Sequence, residues 1–356
     1  MTTDHLRTPA AVLARHPGDA LDKPAAAARA LWDALTTADA LPPPDTDPHA
    51  LVALVREAGH HGCPAPLAET LLVAGPLLAR AGLAVPDGPL TFARGPLDVR
   101  FANVDTASRV GPPGAAGTDD AVHVSGTLSR VPWARAAQAV VVLTEGPGGP
   151  VLLALEPDEY RLLEGANLAG EPRDGVVLTD TAVPADRVRR VPEAVLAEAE
   201  WRAGLARAAL IAGAARRCVE LTVAHTAARS QFGRPLSHFQ AVKQEEAKLI
   251  EEAALVGAAV EAAATALGDP GGAAFAAQAA AAQASASVGE ITRIAHQLHG
   301  AIGFTELSPL RLATTRLWSW RDEDGNEQAW FARIGRHVVE SGTGRLWPLV
   351  TGTPAA

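Results

Sequence analysis

The chain has 356 residues, of which 48% are hydrophobic and 20% charged, and its formal net charge is -9 at pH 7. This length allows a sizeable core and predicts two or three structural units. The negative charge argues against sequence-independent binding of nucleic acid, but it is compatible with a local basic pocket for a phosphorylated small molecule.

The chain contains two cysteines, Cys63 and Cys218, far apart in sequence. We therefore expect no disulfide scaffold and a reducing, cytoplasmic location. The N-terminal MTTDHLRTPA has no basic segment followed by an apolar core, so no secretory signal is expected. The most apolar stretch, GGAAFAAQAAAAQASASVG, is mostly alanine and too weakly hydrophobic to span a bilayer. It predicts a helix packed closely among other helices.

Between about residues 22 and 85 the apolar residues recur at the three-to-four spacing of helices. The pattern is present in AAAARALWDALTTADAL, HALVALVREAGHHG and PLAETLLVAGPLLARAG. LPPPDTDP and GCPAP are turn signals between these segments. The first part of the chain, residues 1–86, is therefore predicted to be an N-terminal helical domain.

From about residue 88 to 193 short apolar runs alternate with Gly, Pro and Asp. The runs LDVRFANV, AVHVSG, AAQAVVVL, PVLLAL and DGVVLTDTAV predict the strands of a compact β-barrel or sandwich domain, residues 87–194. Long helical patterns between them are missing, so a doubly wound parallel sheet is not expected. GPPGAAG (111–117) and EGPGGP (145–150) predict turns rather than phosphate cradles.

The remainder, residues 195–356, is helical in pattern again. Long periodic segments cover roughly residues 195–228, 236–267, 270–299, 307–320 and 327–341. Long helices with short connections predict a C-terminal domain resembling a four-helix bundle. The fold class expected from the whole sequence is α+β and multidomain, with a β domain between two helical ones.

The segment RSQFGRPLSHFQ, residues 229–240, interrupts the C-terminal helices. Gly233 suits a left-handed helix C-cap and Pro235 the first turn of the next helix, so the segment is predicted to form the tip of a helical hairpin. Arg229 beside a helix N-terminus favours a diphosphate, and Phe232 is suited to covering an apolar ring. The alternative is an ordinary turn in which the arginine only favours the helix dipole.

The same segment resembles the signature R-x-Q-F-G-x-P-[IL]-x-x-x-Q of the acyl-CoA dehydrogenase family. A second motif of that family, Q-x-x-G-G-x-G, is similar to QLHGAIGF (297–304), with Ala301 at the second glycine. The spacing of the motifs, the helix–β–helix order, PLAETLL near residue 66 and VVLTDTAVPADRV (176–188) agree with the resemblance. It spans most of the chain and is strongest from 195 to 330.

The resemblance implies an acyl-CoA thioester as substrate and FAD as cofactor. The first motif would hold the pyrophosphate and adenine side of a neighbouring subunit's flavin, and the second would approach the same cofactor, where a glycine permits close backbone contact. The residues implied at this site are Arg229, Gln231, Phe232, Gln240, Gln297 and Gly300. Such a chain binds and orients the flavin, which carries the hydride chemistry.

The β region departs from the family pattern. Family members carry a T-E-P-x-x-G-S-D-like segment that grips the flavin ring, and the matching zone here, FANVDTASRVGPPGAAGTDD, lacks it. In SGTLSRVPWA (125–134) the usual Trp-x-Thr is replaced, and the nearby Trp133 is equally well explained as a core residue. The chain thus keeps the half-site that it lends to a neighbour. This predicts a hetero-oligomer with a longer acyl-CoA dehydrogenase chain, with a homo-oligomer as the alternative.

The reaction of the family needs a carboxylate to remove the α-proton of the thioester. Many members place a Glu before a Gly about twenty residues past the second motif, and an ungapped count reaches Asp324 in RDEDGNEQ. Asp324 is therefore the candidate catalytic base, although its shorter side chain can misplace the carboxylate by ~1 Å, at a cost of about 10²-fold in rate. The alternative is a solvated turn made of Asp322, Glu323 and Asp324. A second base position of the family falls near Ala203 and Gly204, neither of which is acidic.

Three further side chains were considered as metal ligands, namely His60, His61 and Cys63 of HHGC. No second ligand pair follows at a suitable spacing, so a surface turn and no metal are expected. His296 and His299 flank Gln297 and are interpreted as neighbours of the cofactor site or of an interface rather than as ligands.

Two classes of function follow from these observations. One is an FAD-dependent acyl-CoA dehydrogenase, alone or as a subunit, which dehydrogenates an acyl-CoA thioester between its α and β carbons. The other is a catalytically inactive structural subunit that completes the FAD site of a partner acyl-CoA dehydrogenase chain. A third option, outside these two classes, is a protein that binds CoA esters without a redox role. Nucleic acid and membranes are not expected as partners.

Overall fold

The computed structural model describes residues 8–18, 24–42, 46–101, 121–268, 272–342, 344 and 346–351. The chain divides into two compact units. The first includes helix α2 and residues 64–200, and the second includes helix α3 and the chain from Trp201 onward. Helix α3 thus belongs to the same unit as the C-terminal helices.

The N-terminal helices begin and end at residues with clear local preferences. They are α1 (Pro9–Ala14), α2 (Pro24–Thr37) and α3 (Pro48–His61). Asp47 caps α3 by accepting a hydrogen bond from the backbone N–H of His49, and Gly62 ends the helix in a left-handed conformation with φ of 58°. The third helical pattern of the sequence forms a turn of π-helix (Glu69–Ala74) that continues as α4 (Gly75–Arg80).

Two four-stranded sheets form the β region of the first unit. The strands are β1 (Leu90–Arg94), β2 (Asp98–Phe101), β3 (Ala121–Pro132), β4 (Ala139–Gly146), β5 (Gly149–Leu155), β6 (Arg161–Leu163), β7 (Arg173–Pro184) and β8 (Val188–Arg190). Their order is β1-β4-β5-β8 in one sheet and β2-β3-β7-β6 in the other. Only β1 and β4 pair in parallel among these described strands. Side chains of both sheets share one core, so the unit is a sandwich, as predicted.

The turn predicted at EGPGGP is confirmed. Gly146 of β4 pairs with Gly149 of β5, which leaves a two-residue hairpin turn. Gly148 and Gly149 have φ of 85° and 123°, values that favour glycine. The other predicted turn, GPPGAAG, lies outside the described residues. Strands β1, β6 and β8, which have three to five residues, were not predicted.

The C-terminal region consists of helices with short connections. They are α5 (Ala194–Ala228), α6 (Gln240–Ala266), α7 (Ala273–His299), α8 (Leu310–Arg321), α9 (Glu327–Ser341) and α10 (Leu346–Thr351). The first five correspond to the five segments predicted from periodicity. The short α10 was not predicted. The α+β class with a helical C-terminal region is therefore confirmed.

Helix α7 shows why an alanine-rich sequence belongs in this bundle. Its buried stripe follows the spacing of one helix face and includes Ala277, Ala281, Ala284, Val288 and Ile291. Small side chains on this stripe let neighbouring helices approach closely. The prediction that this segment forms a helix packed among other helices is confirmed. None of the described helices has the length and apolar character required to cross a bilayer.

Both cysteines are free and buried. Burial raises the pKa of the Cys218 thiol to about 12, and it raises the pKa of Cys63 as well. Both side chains are therefore unreactive thiols near neutral pH, with a role in packing.

Candidate functional site

The segment 229–240 forms a small β-hairpin. Helix α5 ends at Ala228, and Ser230–Gln231 then pairs antiparallel with Arg234–Pro235. Phe232 and Gly233 between them have φ of 53° and 82°, and a two-residue type I′ turn requires positive φ at both positions. Gly233 is therefore a turn residue, and the prediction that it caps a helix was wrong. The antiparallel pairing of Ser230–Gln231 with Arg234–Pro235 was not predicted from the sequence, although a bulky residue followed by glycine is compatible with a hairpin turn.

The prediction for Pro235 was also wrong, because a 3₁₀ turn (Leu236–His238) precedes α6. Phe239, which follows this turn, contacts two side chains of the hairpin. Its ring lies edge-on to Phe232 at a centroid distance of 6.2 Å, and the guanidinium of Arg234 lies over it at 4.2 Å. Phe232 is nevertheless 91% exposed. The hairpin therefore presents a bulky aromatic side chain to solvent.

Four of the six residues implied by the family motifs line one groove of the second unit, with a volume of about 550 Å³. They are Arg229, Gln231, Gln297 and Gly300. The groove lies between the hairpin, the start of α6 and the end of α7. Phe232 lies at the exposed turn of the hairpin, and Gln240 is the exposed first residue of α6; neither lines the groove. The tertiary structure thus brings the two sequence motifs together.

Gly300 ends helix α7 in a conformation that requires glycine. Its φ of 64° and ψ of -152° lie in a region that side-chain-bearing residues avoid. A Cβ atom at this position would meet nothing within 4 Å, so the backbone faces open space. Ala301, which replaces the second glycine of the motif, also lines the groove. A ligand can therefore approach the backbone closely at this point.

Two histidines add to the groove. The rings of His225 in α5 and His299 in α7 are stacked, with centroids 4.4 Å apart and planes 18° from parallel. Burial lowers the pKa of both, with Arg229 lowering that of His225 further. His296 is not among the residues that line this groove, and its ring stacks on Phe304 at 4.2 Å. His296 and His299 were singled out from the sequence, but His225 was missed. His225 joins the site because the end of α5 packs against the end of α7, which places its ring on that of His299.

Asp324 lies in the turn before α9 and is not among the residues that line the groove. Its carboxylate accepts a hydrogen bond of 2.9 Å from Nε of Arg207, which also lies 3.2 Å from a carboxylate oxygen of Glu323. The side chains of Arg207 and Glu323 are 7% and 8% exposed, and that of Asp324 is 35% exposed. The turn is therefore not simply solvated. Arg207 was not singled out from the sequence, although one arginine within the apolar run GLARAALIAG was a signal.

The second base position of the family has no room for an acid. A Cβ atom built on Gly204 of α5 would lie 2.5 Å from Cη2 of Trp330, whose side chain packs from α9. Ala203 is buried. A carboxylate side chain at position 204 would therefore displace the tryptophan.

The histidines of HHGC join a cluster different from the one considered in the sequence. The ligand atoms of Glu57, His60 and His61 lie within 4.8 Å of one another. Arg216, however, donates to both carboxylate oxygens of Glu57 at 2.9 Å and compensates its charge. Cys63 lies outside the cluster and donates its thiol to the carbonyl of Leu13. We interpret the cluster as an ion-pair network between α3 and α5 and assign no metal to it.

Two parts of the β domain were considered from the sequence as contacts of the flavin ring, namely Trp133 and the segment that matches the family's T-E-P motif. Trp133 is 3% exposed with φ of 54° and is a core residue at the end of β3. The zone matching the family's T-E-P segment falls almost entirely between residues 102 and 120, outside the described residues.

Comparison with known proteins gives one matching family model and one curated relative at the sequence level. The family model described as acyl-CoA dehydrogenase, C-terminal domain, matches residues 199–339. The acyl-CoA dehydrogenase IpdE2 of Mycolicibacterium smegmatis is 39% identical over 103 residues, which are 29% of this chain and 32% of that protein. The match therefore spans about a third of the length of this curated relative.

Solved structures share the fold over almost the whole chain. A chain of the ChsE4-ChsE5 complex from Mycobacterium tuberculosis has a TM-score of 0.76 at 21% identity, covering 88% of both chains. A chain of the Tcur3481-Tcur3483 steroid ACAD has a TM-score of 0.77 at 22% identity, covering 96% of this chain and 97% of that one. Butyryl-CoA dehydrogenase from Megasphaera elsdenii has a TM-score of 0.71 at 18% identity and 83% coverage of both.

Proposed function

We propose that this chain, which belongs to the acyl-CoA dehydrogenase family by its residues 199–339 and by its fold, takes part in FAD-dependent α,β-dehydrogenation of an acyl-CoA thioester. The observation that carries the proposal is the groove in which the two family motifs meet. The two motifs are more than fifty residues apart in sequence. Together they give the groove the guanidinium of Arg229, the side-chain amides of two glutamines and the backbone of Gly300.

The groove residues fit the diphosphate end of FAD. Arg229 offers a guanidinium with a fixed fork of N–H donors, which matches phosphate oxygens. Gln231 and Gln297 offer further amide N–H groups to the groove, and the open backbone at Gly300 allows close approach. The cofactor, when bound, accepts the hydride from the β-carbon of the substrate. The contribution of these side chains is to bind and orient it.

The test of this proposal is the replacement Arg229→Ala. Loss of a charge-assisted phosphate contact is expected to cost about 1.5–3 kcal/mol, which lowers flavin affinity roughly 10- to 150-fold. The measurement is the flavin content and FAD affinity of the assembly that contains this chain. Arg234→Ala is the matched control, because Arg234 belongs to the same hairpin but lies over Phe239 and outside the groove. Equal FAD affinity in the two variants would exclude the assigned site.

A second candidate function is a non-catalytic subunit that completes the FAD site of a partner chain. The pairing of Asp324 with buried Arg207 favours it. A general base must offer its carboxylate lone pair to the substrate proton. One oxygen of the Asp324 carboxylate, Oδ2, instead accepts a charge-assisted hydrogen bond from Arg207, so this side chain has a structural role that needs no substrate. On this interpretation the chain supports catalysis without removing the α-proton itself.

Asp324→Asn distinguishes the two candidates. Asparagine tolerates the positive φ of 60° at this position, so the substitution changes charge and leaves the backbone preference in place. If the chain is a supporting subunit, flavin reduction by acyl-CoA proceeds at the rate of the control Asp322→Asn, which alters the neighbouring exposed acid. Loss of flavin reduction in Asp324→Asn alone, with flavin still bound, would instead identify Asp324 as the base.

The partner that we propose is a longer acyl-CoA dehydrogenase chain. Two of the structural relatives are named as complexes or pairs of unlike chains, ChsE4-ChsE5 and Tcur3481-Tcur3483. In this chain the first motif that reaches toward a neighbour's cofactor is complete and the second departs from the family pattern at Ala301, while the T-E-P-like segment is absent from the sequence. Both observations support a hetero-oligomer that shares its FAD sites.

A further inference from the structure

The stacked histidines of the groove are the feature that the family motifs do not explain. His225 lies in the last turn of α5, and His299 is the last residue of α7. Their rings overlap at 4.4 Å, and both line the groove together with Arg229. Nδ1 of His299 lies 2.8 Å from the carbonyl oxygen of Ala295. Because a carbonyl only accepts, this Nδ1 carries a proton, and Nε2 is the nitrogen whose protonation changes.

Burial, together with neighbouring positive and imidazole groups, lowers the pKa of both rings and so disfavours their protonated form. Burial lowers the pKa of His225 most, and Arg229 of the same helix lowers it further. Burial also lowers the pKa of His299 most; the bond to Ala295 opposes this, and His225 and His296 add to it. From α6 the groove receives Glu245, whose carboxylate is paired with Arg293 of α7 at 3.0 Å.

An anionic ligand reverses this balance. A diphosphate beside Arg229 brings negative charge within reach of both imidazoles, which favours their protonated form. Two imidazolium rings stacked at 4.4 Å would repel each other, so one proton shared by the pair is favoured over two. The added proton turns Nε2 of the protonated ring from an acceptor into a donor toward phosphate oxygen.

We propose that the His225–His299 pair is a proton-dependent anion site, in which binding of a diphosphate diester beside Arg229 is accompanied by uptake of one proton from solvent. This inference rests on the proposed FAD site and adds to it a pH-dependent step. The pair acts by binding and orienting the diphosphate and has no assigned part in the chemistry at the acyl chain.

The sign of the pH effect follows from linkage. The pair binds a proton more tightly with the anion than without it, so affinity for the anion falls as the pH rises between the two pKa values. Within that interval the dissociation constant increases by up to tenfold per pH unit, since a single proton is involved. Below the pKa of the free pair, the affinity no longer depends on this proton.

Isothermal titration calorimetry tests the proposal directly. FAD is titrated into the flavin-depleted assembly that contains this chain, at pH 7, in buffers with different enthalpies of ionisation. The diphosphate diester of FAD has no group that titrates near neutral pH, so any proton taken up belongs to the protein. We expect an uptake between zero and one proton per FAD bound, and a weaker affinity at pH 8 than at pH 7.

Variants of the pair assign the proton. The double variant His225→Gln/His299→Gln keeps polar side chains but has no imidazole that can gain a proton, and it is expected to bind FAD with little or no uptake. His238→Gln is the control, because His238 lies in the adjacent 3₁₀ turn and outside the groove. It should behave as the unaltered chain.

The outcomes separate this inference from the function on which it rests. FAD that binds without proton uptake, or with uptake that persists in the double variant, overturns the histidine assignment and leaves the proposed function in place. An assembly that binds no FAD at any pH overturns the flavin site and the proton-dependent site together.

Discussion

At the residue scale, the contact between Gly204 and Trp330 shows how packing decides which residue a position accepts. A Cβ atom on Gly204 would lie 2.5 Å from Cη2 and 2.7 Å from Cζ2 of the indole ring. The indole N–H donates a 3.0 Å hydrogen bond to the carbonyl of Gly325, so the ring is held from the other side as well. This glycine is therefore required for space and not for backbone conformation.

Gly204→Ala is expected to destabilise the chain by ~1–3 kcal/mol, because the tryptophan must move to admit one methyl group. Gly257→Ala in α6 is the matched control, since its Cβ would meet nothing within 4 Å. Alanine there should stabilise the helix by about 0.5–1 kcal/mol, which is the usual advantage over glycine. Denaturant unfolding of both variants measures the two free energies. Effects of the same sign would contradict the close contact at Trp330.

The arginine of the Asp324 turn makes a related point. Arg207 is almost fully buried and lies beside two carboxylates of the turn. Such a buried charge is costly without partners, so the acidic turn serves the fold regardless of any chemical role. A carboxylate at a family's base position is therefore weak evidence of a working base until its partners are known.

At the scale of elements, the hairpin is the structure that carries most of the candidate site. Phe232 has φ of 53° and is 91% exposed, which is unfavourable on both counts for a large apolar residue. A strained, exposed aromatic side chain is a reason to infer a function in contact with another molecule. The unfavourable backbone conformation of Phe232 lowers the local stability of the hairpin turn, and it places the phenyl ring in solvent where another molecule can contact it.

Phe232→Asn tests that interpretation. Asn-Gly is the preferred pair for a type I′ turn, so the isolated chain should be as stable as before or more stable by up to ~1 kcal/mol. The retention of flavin or partner by the assembly should fall, because the ring is lost. Phe232→Leu is the control that keeps an apolar side chain in the unfavourable conformation. Lower stability of the Asn variant in denaturant unfolding would contradict the strained turn.

At the scale of the whole molecule, the second unit exposes several large apolar side chains. Those that are more than half exposed include Phe232, Phe304, Leu307, Val339, Trp347 and Val350. Exposed apolar surface of this kind is typical of chains that associate with others. It supports the proposed oligomer without identifying the partner.

The proposed hetero-oligomer predicts a stoichiometry. A homodimer of this chain would pair each intact half-site with a β domain that lacks the T-E-P-like segment. Pairing with a longer chain joins this chain's intact half-site to the partner's, and leaves the complementary site incomplete. We therefore expect about one FAD for each pair of unlike chains, measured by native mass determination and flavin absorbance.

The chain expressed alone provides the opposing result. A stable homotetramer that holds one FAD per chain and oxidises an acyl-CoA without a second protein would rule out the hetero-oligomer. The dehydrogenase assignment would survive that result, because the same groove would then serve identical subunits.

The sequence by itself determined helices α2, α3 and α5 to α9, five of the eight described strands of the sandwich, and the family motifs. Each depends on spacing along the chain: the three-to-four period of α5 to α9, the short apolar runs of the sandwich, and the fixed order of residues in 229–240 and 297–304. These patterns are local, so they can be read without knowing which elements meet.

Only the tertiary structure decided what those elements bring together. It placed α3 with the C-terminal helices, stacked His225 on His299, and paired Asp324 with Arg207. It also showed that Gly233 belongs to a hairpin turn rather than a helix cap. The physical reason is that such contacts depend on the relative positions of elements distant in sequence, where side-chain packing and charge pairing outweigh local preference.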